Sequence, residues 1–164
     1  MKTLFIGGVK SGKSRLAETY ILEQSQQKPY YVATTEFIDE EMRDRIVAHQ
    51  QRRQDCFLTL EEPLELLSAL KQCTAPALIE CVSMWLNNML YHEQAEERIF
   101  EELNDILLMT SDMVFVQNEV GMGIIPYNPL ARKYVDISGK AAQLLGEKCD
   151  QVFFCCAGLK LRLK

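Results

Sequence analysis

Five short apolar runs, Thr3-Leu4-Phe5-Ile6, Tyr30-Tyr31-Val32-Ala33, Ala77-Leu78-Ile79, Met113-Val114-Phe115-Val116 and Val152-Phe153-Phe154-Cys155, are nearly continuous rather than alternating. A strand carries that pattern when both of its faces are buried, which is the condition of a parallel sheet. Between the runs lie helical patterns: Lys13 to about Gln26, Asp39 to about Arg53, Pro63 to Lys71, Trp85 to Met109, and Leu130 to Lys148. Strands alternating with helices predict an α/β fold, a mostly parallel sheet with helices on both faces and ligands at the strand ends. No Pro/Gly/Ser-rich linker, low-complexity tract or repeat interrupts the 164 residues, so residues 1–164 are expected to form one domain.

The turn after the first run, Gly7-Gly8-Val9-Lys10-Ser11-Gly12-Lys13-Ser14, fits G-x-x-x-x-G-K-[ST], and it stands between a strand and an amphipathic helix, where that pattern has a physical meaning. Glycines let the backbone curl until successive N–H groups converge, and the positive end of the next helix faces the same anion. Lys13 is placed to meet β/γ-phosphates and the Ser14 hydroxyl to hold Mg²⁺. A nucleotide-binding catalytic domain follows, although the same cradle serves kinases, switches and ATPases. The Asn-Lys-x-Asp guanine signature of regulatory GTPases is absent, which argues against a switch.

Composition narrows the partners. With 18 basic and 23 acidic residues the net charge is -5, the wrong sign for a surface that neutralises a phosphate backbone, so no nucleic acid is expected. The N-terminal apolar run is too short for a signal-peptide core or a membrane span, which predicts a cytoplasmic location and no membrane span. The six cysteines form no C-x-x-C pair and lie in or beside apolar runs, so reduced, buried thiols are expected.

Two further elements carry chemistry. Ala77-Leu78-Ile79-Glu80 is an apolar strand ending in a carboxylate, the position of an acid that holds Mg²⁺ directly or through water. An acid there also serves to pair with a lysine or to cap the turn around Ser83. In the stretch from Asp39 to Arg53, Met42, Ile46 and His49 share one apolar stripe, while Arg45, Arg52 and Arg53 surround His49 along the helix. A histidine on such a stripe is commonly a hydrogen-bonded core residue. Among arginines it also suits a phosphate ligand, because the cations stabilise the anion and keep the imidazole neutral.

These residues, with Ala33-Thr34-Thr35, Glu61-Glu62-Pro63, Glu80-Cys81-Val82-Ser83-Met84-Trp85-Leu86 and Asn118-Glu119-Val120-Gly121-Met122-Gly123-Ile124-Ile125-Pro126, resemble the bifunctional adenosylcobinamide kinase/adenosylcobinamide-phosphate guanylyltransferase family of cobalamin biosynthesis. The resemblance spans nearly the whole chain, and the Asn118–Pro126 string is more specific than the phosphate loop. It implies a P-loop NTPase with a RecA-like fold, a cytoplasmic homotrimer, and two reactions on one corrinoid substrate, adenosylcobinamide. ATP or GTP first phosphorylates the aminopropanol hydroxyl; GMP from GTP is then moved onto that phosphate through a guanylylated histidine. By position, His49 resembles that nucleophile, and Gly7, Gly8, Val9, Lys10, Ser11, Gly12, Lys13 and Ser14 resemble the triphosphate cradle. Ala33, Thr34, Thr35, Gln50, Gln51, Arg52, Arg53, Glu61 and Glu80 match positions lining the family's GTP site. A carboxylate at Glu61 can accept from guanine N1–H and N2–H together; it can equally cap the helix expected to open at Pro63. The chain departs from the family at Tyr134-Val135-Asp136 and Gly139-Lys140-Ala141-Ala142-Gln143, where an arginine and an asparagine give way to Val135 and Ala142, positions that bear on corrinoid contacts or trimer packing. A small-molecule kinase without guanylyl transfer, or a nucleotide-binding regulatory protein with a decayed corrinoid site, are the alternative readings.

Overall fold

Strand β1 (Lys2–Gly7) runs inside a sheet that has seven strands among the described residues, between β5 (Met113–Asn118) and β6 (Gln151–Cys156), both parallel to it. The computed structural model describes residues 1–36 and 55–164, and the remaining strands there are β2 (Tyr30–Ala33), β3 (Leu58–Glu61), β4 (Ala77–Glu80) and β7 (Leu159–Arg162). Their spatial order is β3-β2-β4-β5-β1-β6-β7, and every neighbouring pair is parallel except the antiparallel β6–β7 hairpin.

The continuous apolar runs follow from this arrangement, since consecutive side chains of a strand point to opposite faces. Leu4, Val32, Ile79 and Phe115 pack on one face, beneath α2 (Leu66–Gln72), α3 (Val82–Tyr91), α4 (Glu96–Leu108) and α5 (Pro129–Lys148). Phe5, Tyr31, Leu78 and Val114 pack on the other, against α1 (Lys13–Gln24). Helices thus cover both faces, as expected, and no described helix is long and apolar enough to cross a membrane.

Three expectations need correction. The helical stretch from Trp85 to Met109 is two helices, α3 and α4, separated where Glu93 takes a left-handed φ of 53°. The helix expected at Pro63 begins at Leu66, because Glu62 Oε1 accepts from the backbone N–H groups of both Leu64 and Glu65 (2.9 Å each) and holds a turn there instead. Of the six free thiols, Cys81, Cys149 and Cys155 are buried as expected, but Cys73 is half-buried and Cys56 and Cys156 are exposed. The helix expected from Asp39 to about Arg53 lies outside the described residues.

Candidate active site

All six parallel strands end on one edge of the sheet, and the phosphate loop leaves β1 at its centre. Gly7 is in register with Asn118 on one side and Cys155 on the other, and a Cβ there would overlap the Cys155 carbonyl oxygen. Only glycine fits between the two strands. Gly12 has φ 92°, and a Cβ there would come 2.9 Å from Gly158 Cα. The loop is therefore clamped from outside as well: Gly158, in the β6–β7 turn, donates its N–H to Ser11 O at 2.9 Å.

Within the loop, Lys13 is 7% exposed and its Nζ donates to Gly8 O at 3.2 Å, which folds the ammonium back over the curl. The N-terminus of α1 carries no side-chain cap and no acidic residue in its first turn, so its N–H groups and dipole are left to an anion from outside the helix. Ser11 adds a buried hydroxyl with no hydrogen-bond partner among the described residues. Gly8 is half-buried, and Val9 and Lys10 are exposed at the lip.

Across the loop, Ser14 Oγ donates to Glu80 Oε1 at 2.8 Å, joining the start of α1 to the end of β4. Two hard oxygen donors in contact at a strand end suit a hard divalent cation such as Mg²⁺. Glu80 is in register with Ala33, and Thr34 N donates to Glu80 O at 3.1 Å. The Thr34 hydroxyl, fully buried, donates to Cys81 O (2.8 Å) and accepts from Cys81 N (2.9 Å). Burial first, and then the Glu80 carboxylate, push the Cys81 thiol up to about 12, while Lys13 opposes the shift. Cys81 is thus a neutral filler between the two charges of the site.

Glu61 ends the edge strand β3, in register with Ala33, and is exposed. Capping falls to its neighbour Glu62, so that alternative for Glu61 is set aside. Asn88, on α3, reaches the backbone just beyond both strand ends. Sequence reasoning passed over Asn88 and Gly158. The available signals were a pair of amides, Asn87 and Asn88, between the apolar Leu86 and Met89, and an Ala-Gly turn between two strands.

Gly7 to Ser14, Ala33, Thr34, Thr35, Glu61 and Glu80 therefore gather at one sheet edge. His49, Gln50, Gln51, Arg52 and Arg53, with Arg45, lie outside the described residues. The string after β5 leaves the same edge, Glu119 N donating to Gly7 O at 3.0 Å, and presents Ile124 and Tyr127 at 98% and 99% exposure. Val135 lines a cavity beneath that loop with Arg132 and Asp136, whereas Ala142 is half-buried farther along α5.

Comparison with known proteins agrees with this geometry. The crystal structure of the flagellar accessory protein FlaH from Methanocaldococcus jannaschii superposes over 99% of this chain and 77% of its own, with a TM-score of 0.56 at 12% identity. That likeness concerns the fold, a P-loop, RecA-like α/β sheet. The bifunctional adenosylcobalamin biosynthesis protein CobP of Pseudomonas aeruginosa is 37% identical, aligned over 100% of this chain and 98% of its own. Its counterpart CobU of Escherichia coli is 33% identical over the full length of both chains. Residues 3–163 match the family described as cobinamide kinase / cobinamide phosphate guanyltransferase, and the chain belongs to that family.

Proposed function

We propose that residues 1–164 act as one catalytic domain that phosphorylates the aminopropanol hydroxyl of adenosylcobinamide with ATP or GTP and then transfers GMP from GTP to that phosphate. The family match over residues 3–163 carries this reading, and the geometry of the phosphate loop supports it. In the kinase step the loop from Gly7 to Ser14 and the uncapped start of α1 hold the triphosphate, and the buried Lys13 ammonium stabilises charge on the moving phosphoryl group. Ser14 and Glu80 are the residues that would hold Mg²⁺, which supplies charge neutralisation at the phosphate oxygens. The aminopropanol oxygen bonds to the γ-phosphorus as the bridge to the β-phosphate breaks, and the hydroxyl proton leaves.

In the second step a neutral ring nitrogen of His49 bonds to the α-phosphorus of GTP while the α–β bridge breaks and pyrophosphate departs. An oxygen of the corrinoid phosphate then attacks the same phosphorus and releases the histidine. Covalent catalysis of this kind divides one difficult transfer into two easier ones. Arg45, Arg52 and Arg53 keep the imidazole neutral and balance the phosphates. Gln50 and Gln51 complete the nucleotide contacts with Ala33, Thr34 and Thr35, and Glu61 reads guanine through N1–H and N2–H. A cytoplasmic homotrimer is the setting we assign to this chemistry.

Incubating the purified protein with cobinamide, GTP and Mg²⁺ and weighing the products tests the reading. Cobinamide phosphate and then cobinamide-GDP are expected. Phosphate alone would leave a simple kinase, and untouched cobinamide would contradict both activities.

A further inference from the structure

Strand β3 sits at the edge of the sheet, pairs only with β2 among the described residues, and keeps Leu58, Thr59 and Glu61 exposed. Little apolar burial holds this strand in place, so its position depends on polar ties. Two such ties come from α3. Asn88, 0% exposed, donates from Nδ2 to Thr34 O at 2.7 Å and to Pro63 O at 3.0 Å. Trp85, one turn earlier and also fully buried, donates from Nε1 to Leu64 O at 2.9 Å. The carbonyls they hold lie just beyond the paired ends Ala33 and Glu61, where Glu62 N also donates to Ala33 O at 2.9 Å. Both amide hydrogens of Asn88 are spent on this clamp, while its Oδ1 is buried with no partner among the described residues. A buried amide that donates both of its hydrogens to carbonyls of two separate segments joins those segments.

From this clamp we infer that Asn88, assisted by Trp85, is a positioning residue for base specificity: it fixes the backbone that follows Glu61 and so holds the guanine-reading carboxylate in line with the end of β2. This rests on the assignment of Glu61 as the guanine reader. A carboxylate that must accept two hydrogen bonds at once is sensitive to small displacement, because each bond weakens steeply with angle. Loosening the clamp therefore costs discrimination rather than turnover in general.

The test compares GTP with ITP, which lacks only the exocyclic 2-amino group, as GMP and IMP donor to cobinamide phosphate. The ratio of the two kcat/KM values does not change with the fraction of protein that is folded, so a merely structural role leaves it unmoved. The wild-type chain is expected to favour GTP by about tenfold to a hundredfold. In Glu61→Ala the preference is expected to vanish; a preference that survives there overturns the reading of Glu61 itself. In Asn88→Ala the ratio is expected to fall by at least about fivefold. If Glu61→Ala loses the preference while Asn88→Ala keeps it, the inference about Asn88 fails on its own. Should Asn88→Ala yield no soluble protein, Asn88→Asp, which keeps the size of the side chain and removes both donated hydrogen bonds, decides: a lowered ratio supports the clamp and an unchanged ratio overturns it.

Discussion

Lys13 shows what a single residue contributes to this site. A lysine held inside a backbone curl at 7% exposure, donating among the described residues to one carbonyl at 3.2 Å, is suited to an anionic ligand. Lys13→Ala is expected to lower the kinase rate about a thousandfold, equivalent to roughly 4 kcal/mol of barrier. A rate within tenfold of wild type would contradict its role. Ser14→Ala keeps the loop backbone but removes the hydroxyl that touches Glu80, so the Mg²⁺ concentration for half-maximal rate is expected to rise by about tenfold. The placement of both residues, like that of Glu80, was legible in the sequence because it follows from local order: strand, glycine turn, helix, and an acid at a strand end. That Glu62 rather than Glu61 holds the turn after β3 was not. Which of two adjacent carboxylates faces the Leu64 and Glu65 amides depends on the path of the chain through Pro63, and neighbouring residues in sequence look alike.

Among the elements, the β6–β7 hairpin has the clearest reach into the site. Its turn puts Ala157 and Gly158 at φ 53° and 79° and braces the phosphate loop through the Gly158–Ser11 hydrogen bond. Gly158→Ala strains that turn, and the loss is transmitted to the loop. Calorimetric titration is expected to show nucleotide affinity weakened by about threefold to tenfold with stoichiometry intact; unchanged affinity would show that the hairpin does not brace the loop. The strand β7 itself escaped the sequence reading. Leu159, Leu161 and Leu163 alternate with Lys160, Arg162 and Lys164, which is the pattern of an exposed edge rather than of a buried parallel strand. Lys160 lies over the Phe5, Tyr20 and Phe153 rings at 5.1 to 5.9 Å, a long-range contact that no local pattern discloses. β3, the other edge strand, was missed for the related reason that its exposed residues give no continuous apolar run. The five inner strands were legible because burial on both faces writes a continuous run into the sequence.

At the scale of the whole molecule, the buried thiols tie stability to pH. Burial pushes Cys81 and Cys149 up to about 12 from an ordinary 9.0, so the folded chain keeps protons that the unfolded chain releases above pH 9. The stabilisation they provide is complete below pH 9 and is lost as pH rises toward 12, at about 1.4 kcal/mol per pH unit for each thiol at most. The midpoint of thermal unfolding is expected to fall by several degrees between pH 9 and pH 10.5, and Cys149→Ala, though less stable at neutral pH, is expected to show a shallower alkaline slope. An equal slope in the two proteins would contradict the assignment. The proposed function stands on one phosphate-loop site that transfers the γ-phosphoryl group directly and moves GMP by way of His49. Separate incubations with α-labelled and γ-labelled GTP and Mg²⁺ test it most directly, with His92→Ala as the matched control, since His92 instead pairs with Glu36 at 2.8 Å. An acid-labile, alkali-stable α-label is expected on the wild-type and His92→Ala chains, with no γ-label on that bond and no α-label on His49→Ala, which still phosphorylates cobinamide at a reduced rate. An α-label that persists on His49→Ala, or a wild-type chain that makes cobinamide-GDP without ever carrying label, would contradict it.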